Sequence, residues 1–446
     1  MIVNTPHEPG WLQRYLFHFD YLLFLFVLAA TGFGLLVLDG ATYGLVGQVA
    51  GKVADQARWW GISMAVFALA VLIPYSWLKA LGWVAYLFLI GTLFVLFCAD
   101  HFGFNPGEYA KMINGAYSWF DVPVPGLGVV RAQPSEFAKI ALVLVLSHWL
   151  AWRHEYLTNL WECIVPVVLM TLPVILICAQ PDFGSAAIFL PLPFILLFVA
   201  GLPWRIVWPT VVVSLIVVVI GMYYLATAKE VPFMRQYALA RIQVFLKGPI
   251  SEAINPIANI LNPPGIEQVL YGSNDSATVE TPAAAAETAS NETAAETRKS
   301  KIEKRKKDYQ LYQAELALGS GQLTGKGWRN GTQTRMQFLP DFWTDFVFSS
   351  LGEQFGLVGC LGLLGLYLLI MWRAVRIAIL NEDPFGRYLV CGLISIVLLH
   401  VYLNVGMSTR LLPQTGLPLP LVTYGGSFLA TNYLIFGLIA NVSMRR

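Results

Sequence analysis

Two stretches of this chain, Leu78 to Cys98 and Trp204 to Thr227, contain little besides apolar residues for twenty or more positions. Crossing about 30 Å of hydrocarbon takes roughly 20 apolar residues in a helix, because each backbone polar group must be paired within its own segment. Ten stretches are read as spans, beginning near Tyr21, Trp59, Leu78, Phe137, Cys163, Ser185, Trp204, Phe346, Tyr388 and Leu421. The one from Phe137 is shorter and starts beside Glu136 and Lys139. The predicted fold class is therefore an all-α polytopic membrane protein of about ten helices, with residues 1–446 forming one transmembrane domain. Composition agrees: 57% of the 446 residues are hydrophobic and 13% charged, too little charge for a water-facing surface of that size.

The same numbers exclude other classes. A near-balance of 29 basic and 27 acidic residues argues against a nucleic-acid partner. Cys98, Cys163, Cys178, Cys360 and Cys391 stand singly, mostly in apolar segments, and read as packing thiols rather than metal ligands or disulfides. No cleavable leader is expected, since the first apolar run is long enough to span. No metal site is predicted, and HExxH, clustered histidines and a Ser-His-Asp order are all missing. His400 falls inside a span, where a hydrogen-bonded packing role is the expectation.

Short-loop cations set the expected orientation. With the N-terminus inside, the cytoplasmic side holds Arg14, Lys79, Arg153, Arg205, Arg373, Arg376, Arg387, Arg445 and Arg446, against Lys52, Arg58, Lys111, Arg131 and Arg410 outside. Both termini are thus expected in the cytoplasm, and residues 228–345 become a large outer loop between the seventh and eighth spans. Within it, 273–307 reads as a disordered insertion. Ser273 to Thr297 is rich in Ala, Glu and Thr with almost nothing to bury, and the basic run RKSKIEKRKK follows. Arg235 to Leu246 has the pattern of an interfacial amphipathic helix.

Five constellations could carry chemistry. In RAQPSEFAK, Arg131 to Lys139, a proline breaks the chain, and Glu136 and Lys139 share a helix face. They form either an interfacial ion pair or a phosphate-binding lysine oriented by its glutamate. In AQPDFGS, Asp182 and Ser185 can cap the next helix. LGSGQLTGKGW offers four glycines and Lys326, a composition that can cradle phosphate oxygens but lacks P-loop spacing. LLPQTGLPLPLVTYGGS carries three prolines and a Gly-Gly pair, so it must be a broken or re-entrant segment, tolerated only against protein or a wet cavity. Finally, MQFLPDFWTDFVFSS sets Asp341 and Asp345 against an apolar run. A carboxylate there is costly without a function. Asp341 reads as a helix cap or ion-pair partner, Asp345 as the functional acid.

Taken together and in this order, these motifs resemble the SEDS family of polytopic cell-wall glycosyltransferases, which contains RodA and FtsW. The phrase GKGWRNGTQ followed by FLP is closer to the elongation branch, RodA. The resemblance implies polymerisation of lipid II into glycan strands on the outer face of the cytoplasmic membrane, in cell elongation and shape maintenance. It implies Asp345 as the essential acid and the matched positions Glu136, Lys139 and Asp182. Arg241, in YALARI, matches an arginine opening the large loop, and Tyr309, Gln313 and Lys326 match positions further along it, with Glu353 the retained member of an acidic pair. It also implies a class B penicillin-binding protein, a transpeptidase, as partner, with other elongation-complex proteins and membrane lipid around it. Departures from the family pattern are Ser118, Asp341, Trp343, Gln354 and Arg410, together with the Gly248 to Lys307 insertion.

The implied reaction displaces undecaprenyl pyrophosphate from an anomeric carbon by a sugar hydroxyl. A positioned carboxylate base can supply roughly 10²–10⁴-fold, and cations stabilise the leaving pyrophosphate. Asp345 suits the base, and Lys139, Arg241, Lys326 and Arg131 suit the pyrophosphate, with or without a divalent cation such as Mg or Mn. One base and no second nucleophile point to inversion. The competing reading is a flippase or transporter of lipid-linked precursors, in which substrate groups sit near the midplane rather than at helix ends.

Overall fold

The structure is a computed structural model that describes residues 18–45, 49, 51–102, 110, 117–124, 128–153, 161–180, 182–227, 309–412 and 414–445. Arg241, the amphipathic stretch 235–246 and the insertion 248–307 lie outside the described residues. The chain divides into two compact units, Met1–Ser214 with Tyr312–Arg446, and Leu215–Leu311. Everything below concerns the first unless stated.

Its helices, in chain order, are α1 (Tyr21–Thr42), α2 (Lys52–Leu72), α3 (Tyr75–His101), α4 (Pro134–Arg153), α5 (Trp161–Ala179), α6 (Phe183–Phe189) and α7 (Leu192–Val199). There follow α8 (Trp204–Thr227), which runs on into the second unit, then α9 (Thr332–Arg335), α10 (Val347–Leu380), α11 (Pro384–Ser408) and α12 (Gly426–Ser443). Seven of these helices are long and apolar enough to cross a membrane: α1, α3, α4, α5, α10, α11 and α12. The protein is an all-α, multi-pass membrane protein. The remaining three apolar stretches are also helical, but each departs from a simple span. The first turns of α2 carry Lys52, Asp55 and Arg58. The sixth stretch is broken between α6 and α7 at Leu190 and Pro191, and α8 contains Pro209.

The centre is α4. From Ala138 to Leu150 almost every side chain is buried, which is why a helix beginning with Glu136 and Lys139 still belongs to the interior. Small residues set the close approaches. Gly392 of α11 lies where a Cβ would come within 2.5 Å of Val143 on α4, and Gly34 of α1 faces the backbone of Val422. On α12, Tyr433 shares hydrogen bonds with Thr31 and with the indole N–H of Trp60 (3.0 and 2.6 Å). Asn441 donates to the carbonyls of Ala70, Val71 and Ile73, satisfying the orphan acceptors at the end of α2.

Three local features depart from the sequence reading. Phe120–Val124 and Gly128–Ala132 form an antiparallel hairpin, β1–β2, ahead of α4, with Asp121 opposite Arg131. Second, α10 is not continuous: Gly356 adopts φ 66° and ψ −162°. The groups freed by that break pair with the glycine-rich loop. Leu357 and Val358 donate to the carbonyls of Gln322 and Leu323, and Lys326 and Gly327 donate to those of Glu353 and Gln354. Gly325 (φ 79°) fits because a Cβ there would lie 2.2 Å from the Gln354 carbonyl oxygen. The glycines of LGSGQLTGKGW thus serve backbone pairing into a broken helix. Third, the N-cap of α10 is Phe346, without a side-chain cap, so of the two roles read for Asp341, helix cap or ion-pair partner, the cap is not built. Asp341 sits at φ 52°, and its carbonyl accepts from Thr344 and Phe346.

Candidate active site

The non-helical run 414–425 lies against Asp345, and three elements hold it there. From α11, Asn404 donates to the carbonyls of Asp345 and Leu417 (2.9 and 2.7 Å), and one turn earlier His400 reaches the carbonyl of Pro418 through Nδ1 (3.3 Å). From α2, buried Gln56 donates to the Thr423 carbonyl and accepts from the Gly425 N–H, both at 3.1 Å. From α10, the Tyr367 hydroxyl donates to the Pro420 carbonyl. Tyr424 N–H and Thr423 Oγ1 in turn donate to the carbonyls of Trp343 and Thr344. Side chains of three helices thus engage several of the backbone groups that proline and glycine keep from pairing within a helix, the kind of support that non-helical chain at membrane depth requires.

This assembly walls a cavity of about 610 Å³. Asp345, Glu136 and Arg131 line it, with Gln133, Gly416 and Thr423 among the smaller groups and Trp59, Trp119, Trp343, Tyr424 and Phe428 as aromatic wall. Gly416 (φ 68°) is close enough that a Cβ there would lie 3.5 Å from Asp345 Oδ2. Asp345 is half-buried and no described cation pairs with it. Burial first, and the neighbouring Asp341 second, push its carboxyl up to about 6, against a weaker opposing hydrogen bond from Thr344.

Lys139, the strongest sequence candidate for a phosphate, is 1% exposed. Its ammonium donates to Glu136 Oε1 and to His400 Nε2, both at 2.8 Å, so His400 carries its proton on Nδ1 toward Pro418. Of the two readings of RAQPSEFAK, the ion pair is what the geometry builds. Lys139 sits behind the wall and neutralises Glu136, which faces the cavity. Arg131 gives its Nε–H to Asp121 at 3.2 Å across the hairpin and remains exposed at the cavity edge.

The other predicted residues that the structure describes do not line the cavity. Asp182 caps α6, accepting from Ser185 N–H (3.1 Å) and from Gln133 Nε2 (2.6 Å), so both its oxygens are committed. Lys326 pairs at 2.8 Å with fully buried Glu353, which also accepts from the N–H groups of Gln333 and Thr334 and the hydroxyls of Thr332 and Thr334. That carboxylate anchors the first turn of α9 and the loop before it. A lysine so placed tethers the loop and does not face the cavity. Gln313 is in the helix 309–320 with a buried carbonyl oxygen that has no hydrogen-bond partner, and Tyr309, in the second unit, is exposed. Arg410 occupies a left-handed position (φ 58°) and pairs with Glu315 at 2.9 Å. Gln56 and Asn404 are the positioning groups that sequence patterns did not assign, whereas His400 takes the hydrogen-bonded packing role expected of it. Their signal, a polar residue inside an apolar helix, was present, but its partners were not.

Residues 20–255 and 294–446 match the FtsW/RodA/SpoVE family of cell cycle proteins. The chain is 30% identical over 445 residues to the peptidoglycan glycosyltransferase MrdB of Escherichia coli (strain K12), covering 100% of this chain and 98% of that protein. It is 29% identical over 448 residues to the peptidoglycan glycosyltransferase RodA of Treponema pallidum (strain Nichols), covering 96% and 98%. Two solved structures share the fold. One is a chain of a peptidoglycan synthase complex that coordinates polymerisation and crosslinking (TM-score 0.63, 24% identity, 95% and 97% covered). The other is the Thermus thermophilus rod shape determining protein RodA (TM-score 0.58, 24% identity, 98% and 99% covered).

Proposed function

The chain belongs to the FtsW/RodA/SpoVE family and is a peptidoglycan glycosyltransferase, a glycan polymerase of cell elongation; from that premise we propose that the cavity polymerises lipid II with Asp345 as general base. The observation that carries the assignment is the state of Asp345: a half-buried carboxylate on the cavity wall, unpaired with any described cation and pushed up to about 6. A base is most effective when its pKa lies near the working pH. The acceptor's hydroxyl gives its proton to Asp345 as its oxygen bonds to the anomeric carbon of the donor. The bond from that carbon to the pyrophosphate oxygen breaks, and undecaprenyl pyrophosphate departs with the electron pair. One displacement inverts the anomeric configuration. The aromatic wall suits the apolar faces of sugar rings, and Arg131 is the described cation facing the cavity.

Among the described residues the donor set builds no protein cage for Mg²⁺ or Mn²⁺. Glu136 is committed to Lys139, Asp182 to Ser185 and Gln133, and Asp345 alone remains. No step here runs through a metal ion. The active site opens on the outer face, both termini are cytoplasmic, and a class B transpeptidase is the partner. Support for this comes from the bias of short-loop cations and from the synthase complex that shares the fold.

The test is polymerisation of purified lipid II by the protein in liposomes. Asp345→Asn and Asp345→Ala are expected to abolish glycan synthesis while keeping wild-type elution and helicity. Polymer at the wild-type rate from folded Asp345→Ala overturns the assignment.

A further inference from the structure

The first residue of α2, Lys52, precedes the apolar run that begins at Trp59. Its ammonium lies 4.7 Å from the ring centroid of Trp343 and 4.4 Å from that of Tyr424, and both rings wall the cavity. Trp343 belongs to the turn that carries Asp345, and Tyr424 to the non-helical run opposite it, so Lys52 sits where the two meet. No described carboxylate is in ion-pair contact with it. Asp55, one turn on, pairs at 3.1 Å with Arg58.

The charges around the cavity leave a deficit. Glu136 is neutralised by Lys139, whose ammonium is sealed behind the wall, and Arg131 shares its charge with Asp121. Asp345 adds a negative charge to a space that must receive a pyrophosphate. Ring faces attract a cation by about 0.5–2 kcal/mol, but they offer no oxygen acceptor. A phosphate oxygen arriving there would gain charge-assisted bonds that the rings do not supply. Partial burial also pushes the Lys52 amine down, opposed by Asp55, and an arriving anion would oppose that shift further.

We infer that Lys52, held over two rings of the cavity wall, Trp343 and Tyr424, is a phosphate-binding residue of this site and contacts the pyrophosphate of the donor lipid. The inference rests on the lipid II reading above and adds to it a residue on α2. The alternative is a structural latch, in which the cation only ties α2 to the two aromatic residues.

Full-length protein in liposomes, with inorganic pyrophosphate as competing ligand, separates these readings. Lys52→Met is expected to raise the KM for lipid II about tenfold or more, the usual loss for one charged contact, and to weaken inhibition by pyrophosphate to a similar extent. Lys52→Arg is expected to restore both. Unchanged KM and unchanged inhibition in Lys52→Met overturn the inference, as does a fall in Tm that Lys52→Arg reverses without recovering pyrophosphate binding. Stabilisation by pyrophosphate in thermal unfolding is read in parallel and needs no turnover. If the wild type makes no polymer yet is stabilised by pyrophosphate in a Lys52-dependent way, the lipid II reading fails and the phosphate site stands. If the wild type polymerises and Lys52→Met matches it in every constant, the phosphate site alone fails.

Discussion

Asp345→Asn tests the catalytic reading by stability as well as by activity. The folded protein raises this carboxyl from 3.8 to about 6, chiefly by burial. At 1.36 kcal/mol per pH unit, that difference corresponds to roughly 3 kcal/mol, and partial exposure reduces it to about 1–3 kcal/mol. The sign follows from proton uptake. A carboxyl raised on folding binds its proton more tightly in the native state, so its favourable contribution is complete below pH 3.8. It is lost as pH rises through about 6. Asparagine has nearly the same shape and does not titrate. The variant is therefore expected to match the wild type near pH 4 and to exceed it by about 1–3 kcal/mol at pH 7.5, while making no polymer. Denaturation of detergent-solubilised protein across that range measures the first effect and lipid II polymerisation the second. Wild-type polymerisation should itself fall about tenfold per pH unit below 6, as a base of that pKa requires. An Asn variant less stable than the wild type at pH 7.5, with no gain between pH 4 and 7.5, would refute the claim that burial strains this carboxylate.

Three further outcomes follow from the packing. Asn404→Ala removes both hydrogen bonds donated to the carbonyls of Asp345 and Leu417; it should cost about 1–3 kcal/mol in unfolding assays and lower kcat more than it raises KM. Glu353→Gln breaks a buried ion pair and weakens four further acceptor contacts, for an expected loss of about 3–5 kcal/mol, whereas Lys326→Met, whose partner keeps its other donors, should cost less; the reverse order would contradict the anchoring role. Gly416→Ala places a methyl about 3.5 Å from Asp345 Oδ2 at φ 68°, with a conformational cost of about 1–2 kcal/mol; polymerisation should drop by more than this stability loss accounts for, and equal losses would count against Gly416 shaping the site.

The sequence made the architecture legible because a bilayer imposes a one-dimensional rule. Each of the ten stretches read as a span is helical, and the prolines and glycines of 414–425 announced the non-helical run before α12, whereas the breaks at Leu190–Pro191 and at Gly356 were not read. Asp182 capping α6 was likewise a local event, readable three residues ahead. The hairpin β1–β2 was not read, because Pro123 and two glycines obscure its alternation. Lys326 and Glu353 were both singled out, yet their mutual pairing, 27 positions apart, was not, and it is that pairing which removes the lysine from the cavity.

By itself, then, the sequence determined a multi-pass helical membrane chain, the broken run ahead of its last helix and which acids and bases sit at helix ends. Those properties follow from hydrophobic length and from backbone hydrogen bonding within a few residues. The fold decided which charges are spent on each other and which remain for a substrate. Lys139 is silenced by Glu136, three residues away, and by His400, 261 positions away. Asp345 lies at the cavity because Asn404 and the run 414–425 hold its backbone there. Electrostatics in a low-dielectric interior depend on separations of a few ångströms, and for groups far apart in the chain only the tertiary packing sets those distances.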